Sequence, residues 1–312
     1  ADGFGGMSRA MHDFVNRRIV RGRWAGRGRP VLVNAWEGFM FDFDAKRLLS
    51  LAKRAKAIGA ELFVMDDGWF AGRDDDTGGL GDYEPDTKKL PEGVAGLARD
   101  VTALGLDFGI WFEPEAVNPK SRLYAAHPDW AITEPGREPA FCRNELLLDL
   151  TRPEVRDYIV DSVGGVLDSA RVSYVKWDMN RHLAGVSGAF AHRYILGLYE
   201  VLHRIFDARP DILLESCSSG GNRFDLGMLC FSPQIWCSDD TDPIERLDIQ
   251  KGLSYLYPLS AMGAHVSASP HSQTLRRTPF GTRFAVSCFG CLGYELDLRE
   301  LTPAELREAK RQ

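Results

Sequence analysis

A closed (β/α)8 barrel is the fold class that this sequence predicts, and three observations predict it. Strand-like and helix-like segments alternate along the whole chain, which implies parallel strands joined by helical crossovers. The count reaches eight strands, each with a helical partner, and eight units favour a closed barrel over an open doubly wound sheet. Finally, several apolar runs end abruptly in chemistry-bearing residues, as in Tyr174-Val175-Lys176-Trp177-Asp178 and Ile235-Trp236-Cys237-Ser238-Asp239. Barrel strands deliver such residues to one shared rim.

The elements run in order. Residues 31–36 read as the first strand, followed by a helix over 45–58, where Leu48, Leu51, Ala52, Ala55 and Ile58 recur at helical spacing. The second strand is 62–67 and its helix 94–104; the third strand is 107–113. An irregular excursion then runs to about Leu150. The next helix opens at Thr151-Arg152-Pro153-Glu154 and extends to about Ala170, with Thr151 expected as its cap and the proline just inside the start. Residues 172–178 form the fourth strand and 189–206 its helix. The fifth to eighth strands are 212–216, 235–238, 263–266 and 292–295; the fifth connection is short, and helical stretches near 243–256, 279–289 and from 303 accompany the last three strands.

With 312 residues, 44% of them hydrophobic, the chain can bury a full core, and it shows no internal linker, so one domain is expected. A formal net charge of −6 with basic residues scattered among acids offers no broad face for phosphate backbones, and nucleic acid is not an expected partner. The longest apolar stretches fall far short of the roughly 20 residues that span a bilayer. Residues 1–23 mix Arg9, Asp13, Arg17 and Arg18 with apolar residues and do not read as a signal peptide. The six cysteines are widely spread, which suggests reduced thiols and a cytoplasmic location. Cys288-Phe289-Gly290-Cys291 is a CxxC by spacing; without a second pair it reads as buried structural thiols rather than redox or zinc chemistry. Neither Trp36-Glu37-Gly38-Phe39 nor Gly220-Gly221-Asn222-Arg223 has the geometry of a nucleotide-binding loop, and no cofactor is expected.

The strand ends, read in order, give Trp36 and Glu37; Asp66, Asp67 and Trp69; Trp111, Glu113 and Glu115; Lys176, Asp178 and Asn180; Cys217; then Asp239, Asp240 and Asp242. That is an acidic, tryptophan-rich bowl, suited to sugar hydroxyls and to the apolar face of a pyranose ring. Bland readings compete. An isolated Asp66-Asp67-Gly68 is more often a turn or cap, a lone strand tryptophan such as Trp69 or Trp177 is more often core, and Lys176 and Asp178, which share one side of their strand, could be a structural ion pair. Their coincidence on one rim argues for a site. Two aspartates so placed can cleave a glycosidic bond.

The arrangement resembles glycoside hydrolase family 36, the bacterial α-galactosidases. The likeness rests on Asp66-Asp67-Gly68-Trp69-Phe70, on residues 109–115 ending Glu113-Pro114-Glu115, on Lys176-Trp177-Asp178-Met179-Asn180-Arg181, on Glu215-Ser216-Cys217-Ser218, on residues 223–228 and on residues 236–242, which occur in family order from about residue 7 to the end. The resemblance implies Asp178 as nucleophile and Asp239 as general acid/base; spacing alone does not rank Asp239, Asp240 and Asp242. It further implies Asp66 and Asp67 as the pair that grips galactose hydroxyls, Trp111, Arg143, Lys176, Asn180, Cys217 and Gly220 as other sugar contacts, and Trp36 as an aromatic wall. Lys176 beside Asp178 would keep that carboxylate ionised. The implied reaction is double displacement with retention on galactosyl oligosaccharides such as melibiose and raffinose, by carboxyl groups about 5–5.5 Å apart.

Departures from the family pattern are Ser219 and Asn222 in a usually glycine-rich run, Cys237 for a common threonine, and Glu145 for a frequent glutamine. The resemblance also implies that the chain is a piece of something longer: residues 1–25 as a lead-in from an N-terminal domain, 26–312 as the catalytic barrel, with a C-terminal β domain beyond it and a homotetramer when whole. The absence of an initiator Met and a helix running from 302 to the last residue fit that expectation. Competing functions are a raffinose-synthase-like transglycosidase, a metal-dependent lyase or isomerase using the clustered acids, and an inactive sugar-binding barrel.

Overall fold

A computed structural model describes residues 3–134, 136–137, 139 and 141–311. Eight parallel strands close into a barrel: β1 Leu32–Asn34, β2 Leu62–Met65, β3 Asp107–Phe112, β4 Tyr174–Trp177, β5 Leu213–Ser216, β6 Gln234–Trp236, β7 Met262–Ser267 and β8 Cys291–Glu295. Each pairs with its sequence neighbours, and β8 closes onto β1 through Leu32 opposite Gly293. The strands are buried along nearly their whole length, as expected where side chains fill the barrel inside and helices cover it outside.

The helix Ala45–Ile58 shows how the sequence builds the outer layer. The Asp44 side chain accepts a hydrogen bond from the Arg47 amide at 2.7 Å, Gly59 ends the helix at φ +94°, and Leu48, Leu51, Ala52, Ala55 and Ile58 are its buried residues. Those are the five positions of the apolar stripe. Truncating Leu48 to alanine would cost about 2–5 kcal/mol.

Several expectations need correction. The first six strands are shorter than the apolar runs: β1 ends at Asn34, and Trp36 instead opens a helical turn, Trp36–Phe39, because the Asn34 side chain takes the Trp36 amide at 2.8 Å. β7, read as four residues, has six. Thr151 does not cap the helix Pro153–Ser169; Arg152 occupies the cap position without a side-chain bond, and the Thr151 hydroxyl is engaged by Asp149 at 2.6 Å. The excursion after β3 holds a two-stranded antiparallel ribbon, Ala116–Val117 with Leu146–Leu147. Cys288 is exposed, so only Cys291 of the CxxC is a buried thiol.

The lead-in is more than a tether. It forms the helix Gly3–Phe14, Val15 and Val20 are buried, and the His12 ring bonds the Ser254 carbonyl at 2.8 Å. Ala1, Asp2 and Gln312, which bear on the reading of the chain as a piece, lie outside the described residues. Among the described residues no helix is long and apolar enough to cross a membrane.

Candidate active site

A cavity of about 300 Å³ opens at the C-terminal ends of the strands, at the small end of the range for ligand pockets. Its lining includes nine of the eleven site residues expected from the sequence: Trp36, Asp66, Asp67, Trp111, Arg143, Lys176, Asp178, Asn180 and Asp239. Cys217 and Gly220 stand just behind the wall. Cys217 Sγ lies 4.0 Å from Asp239 Oδ1, and a Cβ on Gly220 would come within 2.7 Å of the Ser238 Cα and 3.0 Å of the Asp239 amide, so only glycine lets the two loops touch.

Asp178 follows β4 directly. Its Oδ1 accepts the Met179 amide at 2.8 Å and its Oδ2 the Trp111 indole at 3.3 Å, which fixes the carboxylate while leaving it on the cavity. Asp239 follows β6 and takes the Trp236 indole at 3.0 Å. Burial, reinforced by the charge of Asp178, raises the Asp239 carboxyl to about 6. Its two acidic neighbours are used up structurally. Asp242 is buried, caps the helix Pro243–Ser254 through the Ile244 amide and pairs with Arg276, while Asp240 accepts the Asp242 amide at 2.9 Å.

Lys176 differs from the expectation. Its ammonium pairs with Asp66 Oδ2 at 2.9 Å, across β3, and no hydrogen bond joins it to Asp178. Although burial opposes its charge, Asp66 and then Cys217, Glu295 and Asp178 hold its pKa well above the usual lysine range. Asp66 also takes the Asn34 amide at 2.6 Å and the Asp67 amide at 2.9 Å. Asp67 is clasped by the buried Arg73, whose Nε and Nη2 reach it at 2.9 and 2.8 Å. The Asp66–Asp67 pair is therefore no simple turn or cap.

Other rim candidates move to a supporting layer. Trp69 is fully buried and donates to the Trp111 carbonyl at 2.9 Å. Glu113 is buried beneath Asn180 and accepts both its amide and its side chain. Glu115, equally buried, receives the Trp177 indole, the Tyr194 hydroxyl and Arg223. Arg143 faces the cavity from a left-handed backbone position, φ +50°. Near it, Glu145 is buried against the buried Glu113 carboxyl, which is its hydrogen-bond partner when one of the two holds a proton. Burial raises its carboxyl to about 7, against the pull of Arg73 and Arg143.

Glu37, expected on the rim, completes the lining with Met40, Trp236, Ser272, Gln273 and Glu295, which have no site role in the sequence reading. Glu295 ends β8 as Asp178 follows β4, so the strand-end rule could have found it. Its Oε2 bonds His265 Nδ1 at 2.8 Å. Ser272 and Gln273 lie in the loop after β7, where no periodicity marks them. Among the described residues no three His, Cys, Asp or Glu side chains gather in a metal-holding geometry. Two carboxyls in contrasting surroundings, three indoles and a lysine–aspartate floor make an arrangement that can hold one sugar ring and act at its anomeric carbon.

Comparison with known proteins agrees with that reading. The family model described as Melibiase matches residues 1–312. Alpha-galactosidase AgaA of Geobacillus stearothermophilus is 48% identical over 99% of this chain and 44% of its own length; alpha-galactosidase Mel36A of Lactobacillus acidophilus is 47% identical over the same shares. A substituted form of AgaA solved in complex with raffinose superposes with a TM-score of 0.96 at 47% identity, covering 99% of this chain and 44% of that one. The chain thus spans less than half the length of the relatives it matches.

Proposed function

Because this chain belongs to the melibiase family, we propose that residues 26–312 are the catalytic barrel of a retaining α-galactosidase acting on terminal α-galactosides of the raffinose and stachyose kind. One observation carries the reading. Asp178 and Asp239 line the same cavity in different surroundings, the first buried and tethered by an amide and an indole N–H, the second more exposed, with its carboxyl raised to about 6 by desolvation and by the charge of Asp178. An acid must hold a proton at working pH, and the raised Asp239 carboxyl supports that role for it.

In the first step Asp178 attacks the anomeric carbon while Asp239 gives its proton to the leaving oxygen, forming a glycosyl-aspartate and a free aglycone alcohol. In the second, Asp239 takes a proton from water, the hydroxide displaces Asp178, and galactose leaves with its configuration retained. Asp66, Asp67 and Lys176 would hold hydroxyls on the far side of the ring, with Arg143, Asn180, Cys217 and Gly220 as further contacts and Trp36 and Trp111 as walls. The donors around Asp178 would stay in place as its charge is consumed and restored.

The full-length Asp178→Ala protein tests this. Loss of turnover with partial rescue by azide, yielding β-galactosyl azide, is expected; wild-type turnover would refute the nucleophile. Free galactose as the main product from raffinose separates hydrolysis from transfer. We further propose a cytoplasmic location, supported by six cysteines that form no disulfide, and a homotetramer for the whole protein, which sedimentation would test.

A further inference from the structure

Thr241 lies two residues beyond Asp239 and is outside the cavity lining, yet groups from two other elements converge on it. Its Oγ1 donates to Glu37 Oε1 at 2.7 Å, and His271 Nε2 stands 2.8 Å from the same oxygen. Burial and the charge of Glu295 raise the Glu37 carboxyl to about 8, and its protonated form would donate to Thr241; with Glu37 ionised the Thr241 hydroxyl donates to it and receives the N–H of His271 Nε2. The other nitrogen agrees: Nδ1 faces the amides of Gln273 and Thr274 at 3.4 and 3.3 Å, an acceptor's position. Burial lowers the pKa of His271, which suits a neutral ring with one N–H. In either protonation state of Glu37 the Thr241 hydroxyl is held between His271 and Glu37.

Further ties act on the same loop, among them the buried Arg246, which donates to the Ser238 and Asp240 carbonyls at 2.8 Å each. The Thr241 carbonyl accepts the Ser267 hydroxyl at 3.0 Å, and Gln273 Nε2 donates to the Asp239 carbonyl at 2.8 Å. The loop that carries Asp239 is thereby held from the β1 end on one side and from the β7 end and its following loop on the other. Among the described residues the Asp239 side chain itself has only the indole of Trp236 and the weak thiol of Cys217 as hydrogen-bond partners, neither of which fixes the height of its loop over the cavity.

We propose that Thr241 is a positioning residue for Asp239: its hydroxyl, held between Glu37 and His271, sets the loop so that the Asp239 carboxyl meets the leaving-group oxygen. The inference rests on Asp239 acting as the general acid. A misplaced acid penalises leaving groups that need protonation and spares those that do not.

The test is Thr241→Val in the full-length protein, with Thr241→Ser as the conservative rescue. The expected result is a fall in kcat of about tenfold or more on raffinose, a fall of less than about threefold on a dinitrophenyl α-galactoside, little change in KM, and recovery in the serine variant. Equal losses on both substrates, or no recovery with serine, would overturn the proposal. If Thr241→Val fails to fold, Gln273→Ala, at an exposed position, is expected to show the same dependence on leaving group in weaker form, and its absence would count against the proposal equally. A wild-type protein with no activity on any α-galactoside would instead refute the functional reading.

Discussion

The Lys176 ammonium sits 2.9 Å from the Asp66 carboxylate, joining the ends of β4 and β2 across β3. Both side chains are almost completely buried, so each is the other's replacement for water. Removing one partner of such a pair strands the other charge. Lys176→Met is expected to lower stability by about 3–5 kcal/mol, read by urea unfolding, and to raise KM more than it lowers kcat. A stable variant with unchanged KM would mean that the pair neither supports the floor nor touches substrate.

The Asp239 carboxyl must be protonated to act as an acid, and burial raises it to about 6. The protonated fraction is full well below that value and falls as pH rises through it. The alkaline limb of kcat/KM is therefore expected near pH 6, dropping about tenfold per unit beyond it, because kcat/KM reports the free enzyme. A profile flat to pH 8 would disconnect Asp239 from proton donation.

Glu145 offers a test of burial without catalysis. Its carboxyl is raised to about 7 from an ordinary 4.5, so the folded chain binds its proton more tightly than the unfolded chain does. Stability is consequently lost as pH rises from about 4.5 to 7 and stays lost above. Glu145→Gln is expected to leave stability unchanged at pH 4 and to raise it by up to about 3 kcal/mol at pH 8. Equal stability of the two proteins at pH 8 would show that Glu113, Arg73 and Arg143 compensate the buried acid fully.

Gly220 has φ +84°, and a side chain there would press on Ser238 and Asp239. Gly220→Ala is expected to cost about 1–3 kcal/mol and to lower kcat, by displacing the loop that carries Asp239. Melting temperature and kcat together check this; an unchanged kcat would show that the loop absorbs the contact.

Much of this was legible in the sequence because its physics is local. The stripe from Leu48 to Ile58, the apolar runs before Asp178 and Asp239, and the proline at the start of Pro153–Ser169 each encode an element within a few residues. Partner choice was less legible. Sequence spacing places Lys176 beside Asp178, but the ammonium reaches two strands away, a decision made only when β2, β3 and β4 are laid side by side. Trp69 looked like a rim residue until Trp111 offered its carbonyl in the core. The three acids after β6 were indistinguishable in the sequence; a helix to cap and an arginine to pair with for Asp242, the Asp242 amide for Asp240 and the cavity lining for Asp239 separate them in three dimensions.

β5 lies alone between β4 and β6, the strands that end next to the two central acids. Neighbouring strands sit about 4.8 Å apart whatever their side chains, so the span between the backbones that carry Asp178 and Asp239 is a property of the hydrogen-bond ladder. The barrel acts as a ruler. That ruler fixes the interval between the strand ends, while the loop 269–279, which ties the Asp239 loop through His271 and Gln273, bears on how far Asp239 stands from it.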